Sequence, residues 1–591
     1  MLRRASVGFC FVWAVLALHT AVADDQLPAA TRWVPRDALL VLEVNRPDAL
    51  LDLLLDPRVS AAVKSLPAYQ KQTAAPGFQE FLGVIRHLET TLGTDWRSGL
   101  RTLSGGGLTM AVWPADQTVL AIDSEDAQML DQLHGIFLGF ARTGTANSSQ
   151  PDRVTSQQYR GVTGWSFNGE EAHAIVGNRL LMAKGGPALK AVLDVRDAPE
   201  ALSFASAANY RAAKKAAGAD AVALAFVNLQ ALKQHPPVQK ALSRTRNPMA
   251  SLLLAGMQEA VRGSSWVALA VGVRQDTLTF KVLMDGQAAD PSGPAGFATP
   301  DSPGQGVLPN LRVPRRIAAA SLYRDLHAFY AGKDELFPQR TSGLIFFENM
   351  MGIYFSGRDL TDEVMAELGP EIRLVVAEQE YDPDVGIPQT RIPAFAAVFR
   401  MRSPDTFAQV MEEAWQKAIG MVNFTRGQQA LPGLIIDRPV HRGVKFTVAC
   451  FPTGEQADKT AVDQRFNFQP ALAMVGDDLI LSSTEALARD LIDASLQETA
   501  KPAAHVHTLV EIDAGQAASA LSANWENMVR QNMVEKGNTR AQAETELGSL
   551  VAALQWMGQA TLNIGNMDGR PAADLELRLD LPEAVPAGAP R

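Results

Sequence analysis

Cysteine is almost missing from this chain. Its 591 residues hold two, Cys10 and Cys450, so a disulfide-stapled scaffold is excluded. Long apolar runs are missing as well. Beyond the N-terminal stretch, none reaches the roughly 18 to 20 residues that a membrane-spanning helix needs, and an integral membrane protein is not expected. A basic excess is also lacking: 54 Lys and Arg stand against 64 Asp and Glu, a net charge of −10. Nucleic-acid binding depends on clustered cations that neutralise phosphate, so no nucleic-acid partner is expected. Neither a Gly-x-Ser-x-Gly elbow nor a Ser-x-x-Lys pair occurs in convincing form. No Gly-rich phosphate loop follows the first strand. The sequence names no catalytic residue and no cofactor.

What is present begins with a sorting pattern. Arg3 and Arg4 precede the apolar stretch Val7–Leu18, and Ala21-Val22-Ala23 is the small-x-small motif a signal peptidase cuts. The expectation is an exported protein, periplasmic or extracellular after cleavage near Ala23. Removing Met1–Ala23 takes away two basic residues and no acidic ones, leaving 52 against 64, or −12. It also removes Cys10. Stability must then come from buried apolar surface, which a 47% hydrophobic composition can supply.

An internal repeat is the next signal. Val34-Pro35-Arg36 returns as Val313-Pro314-Arg315, Tyr159-Arg160-Gly161-Val162 as His441-Arg442-Gly443-Val444, and Ala174–Asn178 as Ala473–Asp477. Each element precedes or forms an apolar strand. The expected division is a signal peptide at 1–23, copy 1 at 31–285, a Pro/Gly-rich linker at 286–312, copy 2 at 313–581 and a tail at 582–591. Strands separated by tight turns pair antiparallel. The expected class is therefore α+β: two tandem copies of a mixed module with antiparallel sheets and crossing helices. Ser482 with Glu485 reads as a capping box. Apolar positions Phe407 to Met421 and Met129 to Phe140 fall on single helix faces.

Few residues suggest chemistry. His505, His507 and Glu511 alternate on a strand and could hold zinc with an open position; the plain alternative is a solvated strand face opposite buried Val506, Thr508, Val510 and Ile512. Glu380–Gly386 offers alternating acids, but its glycine and its twelfth residue, Arg391, do not fit a calcium loop. Ser104-Gly105-Gly106-Gly107 reads as a flexible strand entry and Cys450 as a small core residue. Asn147 and Asn423 open glycosylation acceptor triplets. The stretch Leu344–Phe355 is apolar nearly all round a helix. Such a helix is usually buried; alternatively Phe346, Phe347, Met350 and Met351 would line a groove for a lipid or hydrophobic peptide.

The run Pro35–Val44, then Arg46-Pro47, and the later Val475–Ser483 resemble exported proteins of planctomycete-type bacteria in a domain-of-unknown-function family. That resemblance implies an α+β repeat and a periplasmic or envelope location, and it carries over no site. The expected function is a non-enzymatic binding or scaffolding protein of the periplasm or envelope, with an envelope protein or a hydrophobic ligand as partner. The alternative is a secreted hydrolase, metal-dependent through His505 and His507, assembled from distant residues.

Overall fold

The computed structural model describes residues 27–581, apart from 75, 147–153, 168, 243–247, 287–295, 301–303, 337–340, 454–461 and 568. The expected signal peptide, the tail and Asn147 lie outside the described residues. The fold is α+β. The chain divides into two compact units. Of the described residues, unit 1 comprises those within 27–241 and 264–285, with 581; unit 2 comprises those within 242–263 and 286–580.

The described residues of unit 1 form ten strands: β1 (Leu40–Val44), β2 (Gly107–Trp113), β3 (Gln117–Asp123), β4 (Thr155–Tyr159), β5 (Val162–Ser166), β6 (Ala172–Val176), β7 (Arg179–Ala183), β8 (Ala223–Val227), β9 (Val267–Arg274) and β10 (Thr277–Met284). They pair antiparallel in the order β10-β9-β8-β1-β2-β3-β7-β6-β5-β4. Tight turns create this pattern: Gly161 and Gly177 take φ of +75° and +60° at hairpin tips, where glycine meets no Cβ penalty. Helices α1 (Pro76–Leu92), α2 (Trp96–Ser104) and α3 (Ala127–Ala146) cover one face, with Leu88, Leu103, Met129, Leu130 and Leu133 against Ile122 and Leu180. Helices α4 (Gly185–Asp197) and α5 (Ala208–Ala217) cover the other, where Val192, Leu193 and Tyr210 pack with Val41, Ala111, Phe226 and Trp266.

Unit 2 carries β11 (Arg316–Tyr323), β12 (Leu368–Ala377), β13 (Ala394–Met401), β14 (Ile435–Asp437), β15 (Thr447–Cys450), β16 (Ala471–Val475), β17 (Asp478–Ser482), β18 (Val506–Asp513), β19 (Gln559–Met567) and β20 (Arg570–Arg578). Their antiparallel order is β20-β19-β18-β11-β12-β13-β17-β16-β15-β14. Subtracting ten from each label returns the order in unit 1. One register position holds a charge pair in both sheets. Asp123 faces Arg179 across β3 and β7, and Arg400 faces Asp478 across β13 and β17, with the signs exchanged.

The helices of unit 2 include α6 (Pro248–Gly263), α7 (Leu326–Ala331), α8 (Thr341–Tyr354), α9 (Pro404–Gln428), α10 (Glu485–Gln497), α11 (Ala514–Ala523), α12 (Trp525–Lys536) and α13 (Arg540–Met557). Two expectations are corrected. Helix α6 lies inside the span 31–285 read as copy 1, yet it belongs to unit 2. The described parts of 286–312 are not a loose linker: Phe297, Ala298, Val307, Leu308 and Leu311 are buried, and Gly306–Val307 pairs with Ala503–Ala504. Composition misled because these apolar residues are few and follow no period among prolines and glycines.

Smaller corrections have local causes. The N-cap of α10 is Thr484, whose Oγ1 accepts from the Leu487 N–H at 3.3 Å; Ser482 instead donates to the Thr484 carbonyl at 2.7 Å. Phe140 and Met421 are 45% and 42% exposed, in the C-terminal halves of their helices. The glycine entry to β2 is tight, because a Cβ on Gly106 would stand 2.8 Å from the Asp123 carbonyl oxygen.

Candidate hydrophobic site

The proposed metal ligands are not brought together. His505 precedes β18 with φ +65° and is exposed. The register against β19 slips between Val506 and Thr508, so His507 sits in a bulge that breaks simple alternation. Its Nδ1 lies 3.1 Å from Thr508 Oγ1. Some of its surface remains open, yet burial and then the Arg324 charge push its pKa down to about 3. Glu511 is engaged by Arg316 at 2.7 Å. The face assigned to the core is not wholly buried either, since Ile512 is 41% exposed. Among the described residues, no group of three or more His, Cys, Asp or Glu could hold a metal ion.

The other acidic and imidazole candidates are similarly occupied. Glu380 pairs with Arg315, and Asp382 Oδ1 accepts from the Asp384 N–H at 2.8 Å, which is turn chemistry. His441 turns one nitrogen to Asp493 at 2.9 Å and the other toward Arg489 at 3.4 Å; among the described residues neither is hydrogen-bonded to a hydroxyl. Cys450 is half-buried, and burial raises its thiol pKa, the opposite of an activated thiolate. Sequence reasoning missed one pair in unit 1. His134 Nε2 and His173 Nε2 lie 3.1 Å apart, beside Trp165 and Phe167. Burial, then His134, lowers the His173 pKa to about 4. Spacing could have placed His134 alone, since it follows Leu130 by four on the apolar face of α3; it says nothing of His173.

Helix α8 is not buried all round. Ile345, Phe346 and Ile353 are 52%, 70% and 58% exposed. Leu344, Phe347, Met351 and Phe355 pack inward on Tyr330, Leu360, Phe407 and Leu479. Residues four apart share a helix face, so Phe346 goes with the partly exposed Met350, and Phe347 with Met351. The four candidate residues thus divide between two faces.

Under the inner face lies a cavity of about 240 Å³. Helix α6 contributes Leu252, α7 contributes Leu326, Phe329 and Tyr330, and α8 contributes Leu344 and Phe347; Met365 and the Lys333 stem complete the lining. The lining exposes no polar surface. Arg324, which is 1% exposed, fastens α6 here. Its Nε donates to the Leu252 carbonyl at 2.6 Å. Nη2 donates to the Leu253 carbonyl at 3.0 Å and Thr508 Oγ1 at 2.9 Å, and Nη1 to the carbonyls of Tyr323 at 2.7 Å and His507 at 2.8 Å. All five guanidinium N–H groups are satisfied without a carboxylate. Near the lining, Lys333 Nζ stands 3.3 Å from Glu348 and 4.9 Å from the Tyr330 ring centroid, and the Tyr330 hydroxyl donates to Glu348 at 3.1 Å.

No protein-family model matches the chain, and no curated protein does. Two solved structures, described as crystal forms III and I of TP0453, are similar at 8% and 9% identity. They cover 47% and 45% of this chain and 86% and 80% of their own, with TM-scores of 0.23 and 0.22. Overlap at that level carries no argument about fold or function.

Proposed function

We propose that this is an exported, non-enzymatic binding protein of the periplasm or cell envelope, and that it takes an apolar ligand beneath α8. One observation carries the reading: a cavity of about 240 Å³ walled by apolar surface, flanked by a helix whose outer face also shows large apolar side chains. Ligand sites are concave and mostly apolar. Export rests on the N-terminal pattern Arg3 to Ala23. The matching strand orders and the exchanged Asp123–Arg179 and Arg400–Asp478 pairs support the further proposal that the units are copies of one module. Among the described residues no helix is long and apolar enough to cross a membrane, and the hydrolase alternative finds no support at His441, His505 or His507.

Native mass spectrometry of the mature protein, purified without detergent, tests the binding role. The expected result is an adduct that organic extraction removes and identifies as a hydrophobic small molecule. A clean polypeptide mass, together with no thermal shift from any hydrophobic probe, would overturn the reading.

A further inference from the structure

We infer that the cavity beneath α8 receives the end of an unbranched alkyl chain, about eight to ten carbons deep, from an amphiphile whose head stays outside. The inference rests on the binding role proposed above and names its ligand. Size comes first. An apolar cavity of about 150 Å³ stays dry and accepts benzene, with six carbons. In proportion, the 240 Å³ here has room for roughly eight to ten carbons, too few for a whole lipid.

Chemistry comes second. The walls offer no hydrogen-bonding surface, so a guest bringing a hydroxyl, amide or carboxylate inside would leave it unpaired at a large cost. The head must therefore remain at the edge. There Lys333 and Glu348 lie 3.3 Å apart and neutralise one another, so the edge favours no net charge on the head. The surroundings come third. Two of the helices that line the cavity carry exposed apolar residues: Leu253 and Leu254 on α6 at 44% and 53%, and Ile345 and Phe346 on α8. A chain longer than the cavity can lie against such surface. The guest is therefore a chain of an uncharged or zwitterionic amphiphile.

Calorimetric titration of the full mature chain with n-alkyl maltosides of six, eight, ten and twelve carbons, each below its micelle concentration, tests this. Affinity should rise about fourfold per methylene, then level off between eight and twelve carbons. In Leu344→Trp, which projects an indole into the space, the rise should stop at a shorter chain. Alkyl sulfates of equal length should bind within about threefold of the maltosides. Affinity independent of length, or a rise continuing unchanged to twelve carbons in both proteins, would overturn the inference as surface adsorption. Tenfold tighter sulfate binding would overturn the neutral-edge argument by making Lys333 a head-group ligand. If the native adduct is found but length has no effect, this inference fails alone; if no probe binds and no adduct exists, the binding role fails with it. Should Leu344→Trp not fold, the levelling in the unmodified protein decides.

Discussion

Acid should loosen unit 1 through His173. The ring is 5% exposed and hydrogen-bonded to His134, and its folded pKa is about 4 against an ordinary 6.5. A depressed histidine pKa means that, between pH 6.5 and 4, the unfolded chain binds a proton the folded one refuses. The stability from the neutral ring is complete above pH 6.5 and falls as pH drops toward 4. At pH 5 the folded ring is still mostly neutral, so the loss is set by the 1.5 units separating pH 5 from the unfolded value. At 1.36 kcal/mol per unit that is about 2 kcal/mol. His134, lowered by burial against a smaller opposing effect of Asp131, adds in the same direction. Hydrogen exchange of peptides spanning β6 and β7, followed through urea at pH 7.5 and pH 5, reads unit 1 separately. His173→Gln keeps a hydrogen-bonding group and removes the titration. The unmodified protein should lose about 2 kcal/mol more than the variant over this interval. Equal losses within about 0.5 kcal/mol would refute the reasoning.

Two further outcomes are expected. Arg324→Lys keeps the charge but offers three N–H donors where five are used, so at least two charge-assisted bonds are lost and unit 2 should be weakened by about 3 kcal/mol; a urea midpoint unchanged in exchange of β11 and β18 would show that the carbonyls do not need the guanidinium. Phe346→Ser, at a 70% exposed position, should change stability by less than about 0.5 kcal/mol. Phe347→Ser should cost about 2 to 3 kcal/mol by opening the packed side of α8, and equal thermal midpoints for the two variants would contradict the division of that helix.

What the chain betrayed by itself was local. Alternation and turn glycines placed the hairpins at Gly177 and Gly476, because both signals reside within a few residues. Burial was less legible. The stretch Leu344–Phe355 carries apolar residues on every side, and only the neighbours decide which side is covered; here they left Phe346 outside and took Phe347 inside. The His505–Glu511 reading failed because a single slip at His507 cannot be seen in a pattern of period two. The His134–His173 contact joins a helix to a strand 39 residues away, and no spacing rule reaches that far. Assignment of α6 failed for a similar reason, since its amphipathic pattern does not say which interior will receive it.

The order of synthesis gives α6 a particular history. It leaves the ribosome before any strand of the body it completes, so the Leu252 side chain and the carbonyls of Leu252 and Leu253 must wait without partners until Arg324 and the residues beyond it have been made. During that interval the nascent chain carries an apolar segment without the partners that pack against it. For the same reason a polypeptide begun at Gly286 would retain the guanidinium of Arg324 but lose two of its five acceptors, and the second half of the chain is not a self-sufficient piece.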